Sequence, residues 1–180
     1  TRGRHRNGTL FDAEIGVSKV RLDRRSVYIV CLRDTTDRKL AEAAIRESEA
    51  RYRTLVENAP EAIVVLDTDA GHFVECNDNA VRFFKMSREE LLASGPERIS
   101  PPEQPDGTPS FGIARGYIDR ALAGEAPCFE WLHRDAHGHD IPCEVRMVRL
   151  PSSGRRLIRG SITDITERKR GELLAIGERR

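Results

Sequence analysis

His137-Gly138-His139 sets two imidazoles one residue apart, with Asp135 and Asp140 beside them. A His-x-His pair suits zinc, yet a structural zinc site takes four ligands at recognised spacing, and the remaining ligands are missing. Ordinary turn chemistry around Gly138 is the competing account of the same residues. The four cysteines, Cys31, Cys76, Cys128 and Cys143, show neither CxxC nor CxxxC spacing. Cys128 and Cys143 are placed either to face each other across a hairpin or to be two small buried thiols. No Ser–His–Asp set, phosphate-cradling glycine loop or carboxylate pair within an apolar run is present. A chain without an acid–base set or an activated nucleophile is expected to bind or relay, not to turn over a substrate.

Composition narrows the partners. Charged residues make up 33% of the 180, and the net charge is only +1, so nothing pulls the whole chain toward nucleic acid or an anionic membrane. Arg168, Lys169, Arg170, Arg179 and Arg180 make the C-terminal stretch basic, but Glu167, Glu172 and Glu178 dilute it into a solvated helix. No apolar run approaches the ~20 residues that span a bilayer, and no signal peptide is visible. The expectations are no nucleic-acid partner, no membrane in this segment, and reduced thiols in a cytoplasmic setting. A start without Met and an end of helical character read as an excerpt of something longer.

The residues that organise the rest are Asp164-Ile165-Thr166-Glu167-Arg168-Lys169, where an apolar strand gives way to a charged helix. Asp164 can accept from the free N–H groups of the first helical turn, and Glu167 can reach back, which is a capping-box pattern. The phrase occurs twice: Asp34-Thr35-Thr36-Asp37-Arg38-Lys39 stands 130 positions earlier. The offset holds backwards without a gap, matching Gly8 to Gly138, Glu14 to Glu144 and Arg25 to Arg155. A period of that size means tandem domains, not a solenoid. Asp34, Thr36, Asp164 and Thr166 are therefore the candidate relay residues, each joining a sheet to whatever follows it.

Those junctions need elements to position them. Residues 1–34 read as two strands, with Asn7-Gly8 a hairpin signal and a polar turn at Asp23-Arg24-Arg25. Residues 35–57 read as one helix, with Ala41, Ile45, Ser48, Tyr52 and Leu55 at coiled-coil spacing. Packing of that helix on its own domain is the competing account. After Asn58-Ala59-Pro60 come strands at Ala62–Leu66 and His72–Cys76, then a helix from Asn77 to Phe84. Ser87-Arg88-Glu89-Glu90 caps a short helix, 94–109 is a Pro/Gly loop, and a helix resumes from Ser110 to Gly124. Three strands close the chain, Cys128–His133, Ile141–Leu150 and the one ending at the junction. The order predicts an α+β domain over 58–166, with a five-stranded antiparallel sheet and short helices on one face. An exit helix occupies 167–180.

These residues resemble the PAS domain family, sensory modules of bacterial signalling proteins. The resemblance is carried by Glu57-Asn58-Ala59-Pro60-Glu61-Ala62-Ile63, Asp67 with Gly71, Asn77 with Ala80, Ser87 to Leu91, Gly138 and the repeated junction. It covers 48–169 as one domain and 1–39 as the end of a preceding one; 101–107 and Phe129-Glu130-Trp131 look like a variety found in multi-domain sensor kinases. The resemblance implies an apolar cavity between the sheet and the helix at 110–123, able to hold a small apolar ligand or a cofactor. Phe83, Tyr117, Ile118 and Trp131 are the candidate liners, with Ile63, Val65, Phe73, Phe84, Leu122, Val145 and Ile162 behind them. Plain core is the competing account of each, and the simpler one. Trp131 carries an indole N–H that needs a partner when buried and could offer it to a ligand.

The resemblance also implies a homodimer through helix 35–57 and the sheet surface, with a histidine kinase, or else a diguanylate cyclase or phosphatase, downstream. Haem-binding relatives ligate iron through a His on the helix corresponding to 110–123, where this chain has none. Flavin-binding relatives carry a Cys motif before that helix, where this chain has Pro and Gln. Haem and covalent flavin are disfavoured, and the cofactor is left open. A ligand-free structural relay and a small α+β enzyme are the alternatives to a sensor.

Overall fold

Two sheets form from one recurring pattern. The computed structural model describes residues 1–22 and 25–177. In chain order these are β1 (Arg2–Arg4), β2 (Leu10–Leu22), β3 (Arg25–Asp34), α1 (Thr36–Glu57), β4 (Ala62–Asp67), β5 (His72–Cys76), α2 (Asp78–Phe84) and α3 (Arg88–Leu92). Then follow α4 (Ser110–Leu122), β6 (Cys128–Arg134), β7 (Asp140–Leu150), β8 (Leu157–Asp164) and α5 (Thr166–Gly177). The residues fall into two units, Thr1–Thr54 and Leu55 onward.

In the first unit β1, β2 and β3 form an antiparallel sheet in that order. Three strands stand where the sequence suggested two, because Arg2-Gly3-Arg4 is too short and polar to show an alternation. Of the turn expected at 23–25, Asp23 and Arg24 lie outside the described residues, and Arg25 already begins β3. The register repeats that of the C-terminal strands: Arg4 faces Leu10 as Arg134 faces Asp140, and Ala13 faces Asp34 as Cys143 faces Asp164. The expected helix at 35–57 is α1, none of whose residues is buried.

The second unit carries the five-stranded antiparallel sheet, in the order β5-β4-β8-β7-β6. Its inner face meets α2, α3 and α4 around Val64, Phe73, Phe84, Leu91, Trp131 and Ile162. Each large side chain taken out of water there stabilises by roughly 1.5–3 kcal/mol. β4 is buried along its whole length. Its period-2 alternation puts Ala62, Val64 and Leu66 in the core, so Ile63 and Val65 project from the opposite face. That corrects their expected place among the cavity liners, since a strand buried on both sides does not declare which face is which.

The local caps are mostly as read. Ser87 Oγ accepts from the Glu90 amide at 3.2 Å while the Ser87 amide donates to Glu90 at 2.9 Å, closing the capping box on α3. Gly95 allows the following loop to approach the β4–β5 turn, since a Cβ there would lie 2.5 Å from the Gly71 carbonyl. The cross-hairpin pairing of Cys128 with Cys143 is not formed: Cys143 faces Trp131, and Cys128 faces Arg146.

Candidate functional site

Three elements converge at the edge strand β6. From α4, Tyr117 lies flat on Phe129, ring centroids 3.5 Å apart, and Phe129 meets Trp131 edge-on at 5.8 Å. Gln104 is one of the buried side chains that tie the proline-rich loop before α4 to β6. Gln104 donates to Ser110 Oγ at 2.8 Å and accepts from the Leu132 amide at 2.8 Å. An edge strand has unpaired N–H groups, and this amide satisfies one of them. The Trp131 indole donates to Ser100 Oγ at 3.1 Å, so its proton is used within the fold.

Between these groups opens a recess of about 390 Å³, lined by Ile113, Tyr117, Trp131, Leu132 and Pro142 and, from the last junction, by Ile165 and Lys169. Cys143 also lines it, its thiol pushed up to about 12 by burial, so it is inert as a nucleophile. The carboxylates of Asp106 and Glu130 complete the wall. Glu130 pairs with Lys169 at 2.5 Å and with Arg168 at 2.8 Å, and Arg168 reaches Glu144 at 3.3 Å. The Lys169 ammonium holds the Glu130 carboxyl below its ordinary range. These pairs pin the first turn of α5 to β6 and β7.

The candidate liners do not share one space. Tyr117 and Trp131 meet at this recess. Ile118, next along α4, instead lines a second recess of about 270 Å³ with Leu66, Phe111 and Leu122. Phe83 lines neither; it is half-buried at the border of the core and meets Phe84 edge-on at 4.9 Å.

The relay residues form two matched junctions. Asp164 accepts from the Thr166 amide at 2.7 Å, and Asp34 from the Thr36 amide at 2.9 Å. The amide of Ile165 donates to the Pro142 carbonyl at 3.0 Å, as that of Thr35 does to Asp12 at 2.8 Å. The copies differ at two bonds: the Asp12 amide donates to Thr36 Oγ1 at 3.0 Å, whereas Pro142 has no N–H to give to Thr166, and the Thr35 hydroxyl donates to the Asp12 carbonyl at 3.2 Å, whereas Ile165 has no hydroxyl. The capping box expected from Glu167 does not close, because its carboxylate pairs with Arg170 at 2.7 Å. Of the expected exit helix, 178–180 lie outside the described residues.

At the His-Gly-His turn the organiser is Asp135. One carboxylate oxygen accepts from the amides of His137 and His139, both at 2.9 Å, and the other meets Lys85 at 2.7 Å. Burial pushes this carboxyl up, but Lys85 and the turn amides hold it well below the usual carboxylate range. Lys85 ends α2 in the left-handed region, at φ 53°. Among the described residues no three His, Cys, Asp or Glu side chains cluster as a metal site would require.

Sequence reasoning saw Asn77 only as a helix start. It is the completely buried hub of the second unit: its carbonyl oxygen accepts from the amides of Ile63 and Ala80, and its amide donates to the carbonyls of Val56 and Glu61, all at 2.9–3.0 Å. The end of α1, the start of β4 and the start of α2 meet on that one side chain. The Glu57 carboxylate adds a bond from the Asp78 amide at 2.9 Å and an ion pair with Arg88.

Residues 56–170 match a family model described as PAS fold. The methyl sulfide methyltransferase-associated sensor of Methanosarcina acetivorans is 29% identical over 133 residues, 74% of this chain and 13% of that protein. Sporulation kinase E of Bacillus subtilis is 34% identical over 65 residues, 36% of this chain and 9% of the kinase. The chain thus spans about an eighth and a tenth of these curated relatives. The crystal structure of the PAS domain of an HTR-like protein from Haloarcula marismortui superposes with a TM-score of 0.57 at 23% identity, covering 71% of this chain and 99% of that one. No helix among the described residues is long and apolar enough to cross a membrane.

Proposed function

Because the chain belongs to the PAS fold family over residues 56–170, we propose that it is a sensory module without catalysis of its own, reporting the state of a bound small molecule to an output domain joined through α5. The observation that carries this reading is that one recess of about 390 Å³ is lined both by α4 and β6 and by Ile165 and Lys169 of the last junction. A ligand there touches the sheet and the exit helix at once. The output is a histidine kinase of the kind the sensor-kinase relatives suggest, in a cytoplasmic setting. The ligand is a small molecule with an apolar body, and haem and covalent flavin are not required.

The module works as a homodimer paired through α1 and the outer sheet face. The exposed line of Ile45, Tyr52 and Leu55 supports the first contact. The three-stranded sheet is the end of a preceding copy of the domain. Its exposed Ile15, Val17, Tyr28, Val30 and Leu32 stand where Val145, Met147, Ile158, Gly160 and Ile162 stand in the second copy. A ligand-free relay is the second reading, favoured by the internal partners of Trp131 and Gln104.

Native mass spectrometry of the purified chain, followed by denaturation, separates the readings. A dimer carrying a stoichiometric small molecule is expected. A dimer with an empty recess, unresponsive to added compounds, would leave only the structural relay, and a monomer would remove α1 from the dimer contact. The junction has its own test. Asp164→Ala loses the bond to the Thr166 amide, should cost about 1 kcal/mol as a lost cap, and should uncouple kinase output from stimulus in the parent protein. Unchanged regulation would remove the junction from the signalling path while leaving the fold intact.

A further inference from the structure

The walls of the recess at β6 carry unequal charge. Among the described residues Lys169 is the cation of the wall and Asp106 and Glu130 are its anions; Arg168, beside the wall, also pairs with Glu130 at 2.8 Å, which leaves Asp106 as the carboxylate whose charge is not offset. The Lys169 ammonium is already committed to Glu130 at 2.5 Å. Asp106 accepts the Thr108 amide at 3.0 Å and has no ion pair among the described residues. The volume of about 390 Å³ is that of a small-molecule site. Its organic walls include Tyr117, whose ring is stacked on Phe129 with the Arg120 guanidinium over it, and Trp131, an aromatic system whose π-face carries negative potential and attracts cations.

We infer that the recess takes a small organic cation, an ammonium on a compact apolar or aromatic body. This rests on the reading that the recess holds a ligand at all, and adds the class of ligand. The ammonium lies beside Asp106 and Glu130, and the body lies against Tyr117, Trp131 and Ile113. A carboxylate of the same size would meet Asp106 with no compensating charge, and would have to draw Lys169 away from Glu130. A cation instead shares Glu130 with Lys169 and neutralises Asp106. That sharing loosens the ion pair that pins the first turn of α5, so occupancy is felt where the exit helix begins.

Trp131 is the single tryptophan of the chain, so its fluorescence reports this site alone. The full chain is titrated with 2-phenylethylammonium, 3-phenylpropanoate and 2-phenylethanol, three bodies of similar shape with charges of opposite sign or none. Saturable binding of the ammonium is expected at roughly millimolar Kd or below, with the carboxylate at least about tenfold weaker. Asp106→Asn keeps an oxygen for the Thr108 amide and removes only the charge. It should weaken the ammonium about five- to tenfold and leave the alcohol unchanged. Faster hydrogen exchange at Glu167–Arg170 should accompany ammonium binding. Equal affinity for all three probes, or an ammonium affinity untouched by Asp106→Asn, would overturn the cation assignment while ligand binding stands. No saturable response to any probe would overturn it as well, and the sensory reading would then rest on whatever ligand native mass spectrometry finds. Unchanged exchange in α5 on ammonium binding would overturn the coupling to the helix.

Discussion

Replacing Asn77 with alanine is expected to destabilise the second unit by roughly 3 kcal/mol, the loss of an N-cap together with buried groups left unpaired. Four bonds of 2.9–3.0 Å end on this side chain, and it is completely buried. Alanine leaves the amides of Ile63 and Ala80 without their acceptor and the carbonyls of Val56 and Glu61 without their donor. Urea unfolding followed by Trp131 fluorescence measures this unit alone, and the midpoint should fall at an unchanged m-value. The melting temperature should drop by about 10 °C. Asn77→Asp is the sharper variant. It keeps the acceptor for Ile63 and Ala80 but sets a carboxylate oxygen against two carbonyl oxygens, so it should be at least as damaging as alanine. A loss below about 1 kcal/mol in both variants would mean that the meeting of α1, β4 and α2 is held by packing and not by this amide.

The connection matters beyond stability because Asn77 and Glu57 hold the last turn of α1 to the sheet, as Arg168 and Lys169 hold the first turn of α5. The two helices that enter and leave the second unit are therefore tied by different chemistry. A buried neutral amide, satisfied on every side, is rigid and insensitive to salt. A half-exposed cluster of two cations and two carboxylates is adjustable, weakly stabilising, and open to competition from an added charge. Signal transfer is easier to place at the second than at the first.

The parts legible in the sequence were those fixed by neighbours along the chain. The Ser87 and Glu90 box closed as read because both partners lie within one turn and nothing else competes. The same pattern at Asp164 and Glu167 failed because Arg170, three residues further, offers Glu167 an opposite charge on the helix surface. Strand order and the repeat were legible because an offset of 130 positions preserves register in both copies. Of the two accounts of Cys128 and Cys143, facing thiols fail because Cys128 stands opposite Arg146, and buried thiols hold for Cys143 but not for the exposed Cys128; register depends on the hairpin turn, and a small slip moves every pairing. Tyr117 and Ile118 were grouped together although consecutive helical residues do not share a face. They consequently open onto different recesses. Asn77 showed as a cap, but its bonds to Val56 and Glu61 depend on the chain returning from β5, which local pattern does not encode. The acid pair at Asp106 and Glu130 was invisible for the same reason, being joined only when loop, edge strand and exit helix come together.

His133 supplies a large pH effect that sequence pattern also concealed. It is buried on β6, its ring edge-on to Phe84 at 5.4 Å, and Nδ1 donates to the Ile99 carbonyl at 2.8 Å. That bond assigns the proton to Nδ1 and leaves Nε2 a buried acceptor without a donor among the described residues. Burial disfavours the imidazolium and pushes the pKa down to about 4 from 6.5, against the opposing pull of the Ile99 carbonyl. The unfolded chain therefore takes up this proton first as the pH falls. The stability contribution is complete above pH 6.5 and is lost progressively down to about 4, amounting to about 3 kcal/mol. Carboxylates with depressed pKa, Glu90 and Glu130 with an ordinary value of 4.5 and Asp69 and Asp140 with 3.8, begin to contribute toward the lower end of the interval from 6.5 to 4.5, so the histidine is isolated by the difference between the parent and a variant that cannot titrate there. His133→Gln retains an amide donor for Ile99 but cannot titrate. Its stability should be lower at pH 7, and between pH 6.5 and 4.5 the parent should lose about 2 kcal/mol more than the variant does. Parallel profiles for the two proteins would show that the ring is protonated in the folded state as readily as in the unfolded one, and that β6 opens to water at this position.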